Sequence, residues 1–324
     1  MKRVIYIFQN GTLRRKDNTI LLENESRKRS IPVKAVSDIH IFGEVNINSK
    51  LLVFLSQNHI ALHFYNYYGY YSGSYYPREY YNSGLITLLQ AEHYLHHERR
   101  IALAKSFVMG GVLNMAKNLR RYHLKDMAEH FNESLGDLNK IDSIPELMAY
   151  EGGLREKYYA EWNNIIKNED FIFDRRTRRP PHNPINALIS FGNSLLYVTV
   201  LSEIYRTHLD PRIGYLHETN RRSFTLNLDI AEVFKPIIVD RVIFRLINRQ
   251  QIAEKHFDRE ANMSYLTSQG RKIFVKEYEK KLAETIKYPN IGKVSYRRLI
   301  RIECYKLYKH FLGEKPYSPY VIKD

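Results

Sequence analysis

The stretch LITLLQAEHYLHHERRIALAKSFV, residues 85–108, decides the fold. Leu85, Leu88, Leu89, Tyr94 and Leu95, then Ile101, Leu103, Ala104, Phe107 and Val108, recur at helical spacing. Before this stretch the chain reads as short strands, and after it as helices. Arg3 to Phe8 is a β-branched and aromatic run ending at the turn signal Asn10-Gly11. Lys16-Asp17-Asn18 separates two further short runs, which predicts a hairpin. Ile31 to Phe42 alternates loosely around one proline, predicting strands with a break. Ser49 to Leu55 has helical spacing, and Ile60 to Tyr65 returns to strand.

Tyr65 to Tyr81 holds nine tyrosines in seventeen residues, punctuated by Gly69, Gly73 and Pro77. The favoured reading is a terminal hairpin and linker with tyrosines packing on a sheet face. The sharper reading is an aromatic platform for nucleic-acid bases. Beyond residue 108, helices are expected around 124–135, 145–167, 185–208, 229–250, 267–286 and 294–312. Asp174 to Pro184, with three prolines and four arginines, is expected to be a loop. The organisation expected is α+β: a small β domain over 1–76, a linker over 77–87 and a larger all-α domain over 88–324.

Composition narrows the function. Hydrophobic residues make up 44% of 324, enough for a sizeable core. Lys and Arg number 50 against 35 Asp and Glu, a net charge of +15. Such a balance concentrates polyanions around the protein, with DNA, RNA and anionic membrane as candidate partners. No uninterrupted apolar run approaches the ~20 residues of a spanning helix, so no membrane anchor is expected. The basic, briefly apolar start lacks the features of a signal peptide. Cys304 is the only cysteine, which excludes intramolecular disulfides and cysteine-based zinc sites. A cytoplasmic protein is expected.

Four residues are candidates for chemistry. Asp229 and Glu232 lie three apart at the expected start of a helix, so their carboxylates share a face. Together they suit Mg2+ or Mn2+, but an acidic N-cap followed by Glu at the third helical position is also a capping pattern. His217 lies in an expected loop twelve residues before Asp229, and a neutral imidazole suits Mn2+ or Zn2+ better than Mg2+. Glu151 precedes Gly152-Gly153. It reads as a helix-start acid favoured by the macrodipole, or as a ligand beside glycines that permit close approach of a chain segment or ligand.

A competing cluster is His93, His96 and His97, where His93 and His97 could share a helix face; a polar helix face is the plainer reading. Arg175, Arg176, Arg178 and Arg179 form a solvated loop or a phosphate-binding arm. Arg221 and Arg222 fall between His217 and Asp229, and Arg297, Arg298 and Arg301 form another basic group. No phosphate-binding P-loop, dinucleotide fingerprint or serine elbow is present.

Taken in order, Glu151-Gly152, the segment Asn183 to Tyr197 (NPINALISFGNSLLY), Gly214-Tyr215-Leu216-His217-Glu218 and Ser223 to Pro236 (SFTLNLDIAEVFKP) resemble the motifs of the CRISPR-associated spacer-acquisition integrases, the Cas-one family. The resemblance runs nearly end to end. It implies an N-terminal β-sandwich and a C-terminal helical catalytic domain. Its metal ligands fall on Glu151, His217 and Glu232, with Asp229 supporting. It implies attack of a DNA 3′-hydroxyl on a repeat phosphodiester, with nuclease activity on double-stranded and branched DNA. It also implies a homodimer bridged by a small ferredoxin-like CRISPR-associated partner. Two positions depart from the pattern: Gly153 replaces a small helix former, and Lys235 stands where arginine is usual, among the residues expected at DNA. The alternatives are a non-catalytic nucleic-acid scaffold and a general metal-dependent phosphodiesterase.

Overall fold

A computed structural model of the chain describes residues 2–25, 27–77, 81, 83–219, 223–260 and 263–323. They divide into two compact units, Met1–Tyr80 and Tyr81–Asp324. The first is a small strand domain and the second a larger, mainly helical one.

The first unit contains β1 (Arg3–Ile7), β2 (Gly11–Lys16), β3 (Thr19–Glu23), β4 (Lys28–Pro32), β5 (Val36–Ile41), β6 (Val45–Ile47), α1 (Ser49–Gln57), β7 (Ala61–Tyr65) and β8 (Tyr71–Tyr75). One four-stranded sheet has the order β1-β5-β7-β8, the other β4-β3-β2-β6. The predicted hairpin is β2–β3, with Asp17 at positive φ in its turn. The Asn10-Gly11 turn makes no hairpin, because β1 and β2 enter different sheets. Pro32 ends β4, where its missing N–H does no harm, and a short 3-10 turn leads into β5.

Alternation along the strands decides what is buried. Ile5 and Ile7, Ile39 and Ile41, Ile20 and Leu22, with Leu51, Phe54 and Leu55 of α1, form one core shared by both sheets. The opposite face of the first sheet is aromatic. Tyr6 stacks on His40 at 4.7 Å and Phe42 on Tyr65 at 4.1 Å, and His40 Nδ1 shares a 2.8 Å hydrogen bond with the Tyr65 hydroxyl. Tyr65 and Tyr71 meet edge to face at 6.2 Å. Within the described residues, the strand tyrosines of the tract pack on a sheet face; Tyr80 lies outside them.

The second unit contains α2 (Gly84–Leu95), α3 (His97–Arg121), α4 (Lys125–Ser134), α5 (Ile144–Ala160), α6 (Trp162–Ile165), α7 (Pro184–Tyr205), α8 (Leu226–Phe234), α9 (Arg241–Asn248), β9 (Phe257–Glu260), β10 (Met263–Leu266), α10 (Ser268–Ala283), β11 (Thr285–Tyr288), β12 (Gly292–Ser295) and α11 (Tyr296–Phe311). The helix α3 packs on α4, α5 and α8, while α7 packs on α8 and α11.

Three expectations need correcting. The helical region is not all-α, since β9–β10 and β11–β12 are antiparallel hairpins. Residues 84–87, placed in the linker, already form the first turn of α2, capped by the Ser83 side chain. The stretch 85–108 is two helices, because His96 is extended, ending α2 and starting α3. The helix α7 is long and apolar enough by length and composition to cross a membrane, but 78% of its most apolar window is buried inside the unit, as befits a core helix.

Candidate active site

Asp229 does not cap its own helix. The N-cap of α8 is Thr225, whose hydroxyl instead donates to Arg212 O at 2.8 Å and accepts from Gly214 N at 2.9 Å. A Cβ on Gly214 would lie 2.8 Å from Thr225, so only glycine lets the loop before α8 come this close. The Asp229 carboxylate therefore reaches back to the loop. It accepts from the backbone N–H groups of Tyr215 (2.5 Å), Leu216 (3.1 Å) and His217 (3.0 Å). It also accepts from His217 Nδ1 at 2.7 Å. Four donors satisfy a fully buried carboxylate. Because Nδ1 faces that carboxylate, the proton of neutral His217 sits there and Nε2 is left as the acceptor.

The two glutamates meet through an arginine. Glu151 lies in the middle of α5, not at its start, where Ser143 is the cap. One turn later, Arg155 donates from Nε and Nη2 to Glu151 Oε1 at 3.0 and 2.8 Å, and from Nη2 to Glu232 Oε2 at 2.6 Å. Lys235 pairs with the other oxygen of Glu232, and its Nζ lies 5.1 Å from the Tyr197 ring centroid. Arg155, Glu232 and Lys235 are all buried. Burial alone would push the Glu232 carboxyl up, but Lys235, Arg155 and His217 outweigh it and hold it at about 2. Asp240, also buried, is pushed up to about 7 by burial, with the charge of Glu232 adding and Arg155, Tyr158 and Lys235 opposing.

The backbone around the pair is irregular. Pro236 to Asp240 form a π-helical turn between α8 and α9, a device frequent at functional sites. Two asparagines of α3 serve carbonyls of α8 and the turn: Asn114 Nδ2 donates to Val233 O at 2.9 Å and Asn118 Nδ2 to Pro236 O at 2.6 Å. Gly111 lets α3 approach, since its Cβ would meet Glu232 O at 3.1 Å.

Two carboxylates and an imidazole acceptor backed by a buried acid form a donor set that fits a hard divalent ion. Among the described residues, no group of three His, Cys, Asp or Glu side chains is already drawn together around one point. Arg155 and Lys235 hold the carboxylate oxygens in this arrangement.

The other expected residues divide. Arg175, Arg178 and Arg179 are exposed. Arg176 is not available to a backbone phosphate in this arrangement. It donates to Asn186 Oδ1 at 2.8 Å and Ser190 Oγ at 3.0 Å, fastening the loop to α7. Lys235, expected at DNA, is buried against Glu232. Arg221 and Arg222 lie outside the described residues. His93 and His97 do not share a helix face, because the helix is interrupted at His96 between them. His93 is buried, bonded to Leu89 O at 2.9 Å and packed on His310 and Phe311, while His96 and His97 are exposed. Nothing approaches Gly152 or Gly153, so close packing of a chain segment does not explain them. Sequence reasoning missed Arg155; its only local signal is the i,i+4 spacing from Glu151.

A model of the family described as CRISPR associated protein Cas1 matches residues 5–280. A CRISPR-associated endonuclease Cas1 of Thermodesulfovibrio yellowstonii is 49% identical over 327 residues, covering 99% of each chain. A solved CAS1 protein from Thermotoga maritima, 49% identical, superposes with a TM-score of 0.92 over 98% of this chain and 100% of its own. A casposase bound to an integration product shares the fold, with a TM-score of 0.86, 19% identity and coverage of 98% and 93%.

Proposed function

The chain belongs to the CRISPR-associated Cas1 family, the integrases and endonucleases of CRISPR adaptation, and we propose that Glu151, His217 and Glu232 carry its chemistry with Mg2+ or Mn2+. The observation that carries this reading is the locked imidazole: Asp229 fixes the His217 tautomer at 2.7 Å, and two glutamates are gathered on one arginine. A divalent ion bound there would lower the pKa of an attacking hydroxyl and stabilise charge on the reacting phosphate.

The protein's own groups divide the remaining work. Glu151 and Glu232 supply hard oxygen donors from two helices. Lys235 and Arg155 keep Glu232 ionised at neutral pH despite its burial. His217 presents Nε2 because Asp229 occupies its other face. In the reaction, a DNA 3′-oxygen forms a new bond to phosphorus in the repeat, the opposite P–O bond breaks, and the proton lost by the attacker is balanced by one taken up by the leaving oxygen. Arg175, Arg178 and Arg179, with Arg221 and Arg222 in the same role, hold the phosphate backbone without reading bases.

We read the two-sheet N-terminal unit as a β-sandwich for dimerisation and partner docking. The working assembly is a homodimer with a small ferredoxin-like CRISPR-associated partner on double-stranded or branched DNA, in the cytoplasm. A strand-transfer assay with a 3′-hydroxyl donor, a repeat-bearing target and Mn2+ tests the reading. Joined product is expected from the native chain and not from a folded His217→Ala variant. Full joining by that variant would sink the site. Cleavage without joining would point to a general phosphodiesterase, and binding without turnover to a scaffold.

A further inference from the structure

A cavity of about 1460 Å3 lies elsewhere in the helical unit. Its walls are the C-terminal end of α3, α9, the β11–β12 hairpin, the start of α11 and the chain's last segment, 318–323. It contains none of Glu151, His217, Asp229 or Glu232. It exceeds the roughly 300–1,000 Å3 of a small-ligand pocket.

Charge in this cleft is one-sided. Ten of its 23 lining residues are Lys or Arg, and Glu284 is the only acidic one. That carboxylate is shared between Arg245 at 2.9 Å and Lys281 at 2.7 Å, and acids outside the lining pair Arg245 with Glu277, Arg120 with Glu129 and Lys306 with Glu303. Arg241 donates from Nε to the neutral amide oxygen of Asn118 at 2.7 Å, not to an acid. Lys281 is buried, with its Nζ 3.9 Å from the Tyr296 ring centroid. Burial and the charges of Arg241 and Arg245 loosen its proton, bringing it down to about 8 despite Glu284. Ten cations against the four acids Glu129, Glu277, Glu284 and Glu303 leave the concavity a net positive field for an anion to enter.

Aromatic side chains line the same walls. Tyr288 and Tyr320 are half-buried, and Tyr122 meets Phe244 edge to face at 5.3 Å. The far wall is fastened rather than loose. Asn114 Oδ1 accepts from Ile322 N and its Nδ2 donates to Tyr320 O, both at 2.9 Å, while the Tyr317 hydroxyl donates to Glu303 at 2.7 Å. Cations interleaved with aromatic faces are the means by which proteins hold unpaired nucleotides, phosphates on the charges and bases on the rings. A plain solvated basic surface calls for neither the concavity nor the rings.

We propose that this cleft, lined by Arg249, Lys287 and Tyr288 among others, is a second nucleotide-binding site that takes consecutive phosphates with an unpaired base, separate from the candidate active site. The source is a single-stranded nucleic-acid segment or a free nucleoside polyphosphate, and the test separates them. The full chain in EDTA is titrated with fluorescein-labelled oligo(dT) of about twelve nucleotides and, calorimetrically, with ATP. Arg249 and Lys287 are exposed, so the Arg249→Glu/Lys287→Glu variant should stay folded.

That variant is expected to weaken oligo(dT) binding at least about tenfold. Its salt dependence should become shallower by about 1.4, at ~0.7 per lost phosphate contact. Tyr288→Ala is expected to weaken binding about five- to hundredfold with the salt slope unchanged. His217→Ala should bind like the native chain. Loss confined to oligo(dT) assigns the site to a nucleic-acid strand, and loss of ATP binding in the same variant assigns it to a free nucleotide. Native-like affinity of the charge-reversed variant for both probes overturns the proposal. So does His217→Ala weakening oligo(dT) as much as charge reversal does.

Discussion

Arg155 and Lys281 are both buried cations on helices, and their surroundings differ. Arg155 lies between two carboxylates, and although burial opposes it, Glu151 and Glu232 hold its proton tighter than in water. Lys281 shares one carboxylate with Arg245, and its proton is loosened. The first region matches buried charges one against another and so fixes the positions of side chains. The second holds more positive charge than its neighbouring acids balance and so keeps an opening for something negative. Basic residues that look alike in sequence thus serve two ends: organising acids, and attracting a polyanion.

The largest test of this contrast is Arg155→Met. It takes the arginine from part-buried Glu151 and leaves buried Glu232 to Lys235 alone, and removing one partner of a buried ion pair costs about 3–5 kcal/mol. Urea denaturation should show that loss, and Mn2+ should recover part of it by binding the two freed carboxylates. Unchanged stability would mean that the acids do not depend on Arg155.

Asp229→Asn comes next. The amide can offer its NH2 to His217 Nδ1, reversing the tautomer that leaves Nε2 as acceptor. Turnover should fall about 10–100-fold, with a stability loss of about 1–3 kcal/mol from the three loop N–H groups now less well served. Native turnover would remove the locked imidazole from the account.

In the cleft the sign reverses. The folded-state pKa of Lys281, about 8, lies below its ordinary 10.5. Below pH 8 the folded protein therefore carries a charge that burial disfavours, and the penalty fades as pH rises from 8 to 10.5. Lys281→Met should raise stability at pH 7 by roughly 1–3 kcal/mol, with the gap to the native chain narrowing across that window in melts at stepped pH. Destabilisation at pH 7 would show that the Glu284 pairing outweighs the desolvation.

Much of this arrangement could be read in the sequence, but unevenly. The strand-rich start and the helices beyond residue 84 follow from the change of period. Where the reading failed, the deciding interaction was distant or the element short. His96 breaks a helix, yet helical spacing persists on both sides of it and hides the break. The strands β9 to β12 have four residues each, too few for alternation to stand out.

The candidate site residues were singled out because four motifs stand in order, not because any single acid declared its role. Asp229 looked like the cap of its own helix, whereas it holds the loop at residues 215–217. Arg155 was invisible because a Glu and an Arg four apart occur on many solvated helices; burial against Glu232, 77 residues away, sets this pair apart. In the same way, Arg176 differs from its exposed neighbours only through Asn186 and Ser190.

The central claim is that Glu151, His217 and Glu232 together hold a divalent ion. Titration with Mn2+, followed by loss of the free-ion electron paramagnetic resonance signal, tests it without any DNA present. The native chain should sequester Mn2+ at one site, and His217→Ala should weaken that binding at least about tenfold while a variant lacking His93, His96 and His97 binds as the native chain does. Undiminished binding by His217→Ala, or loss of binding with the other three histidines, would contradict the account.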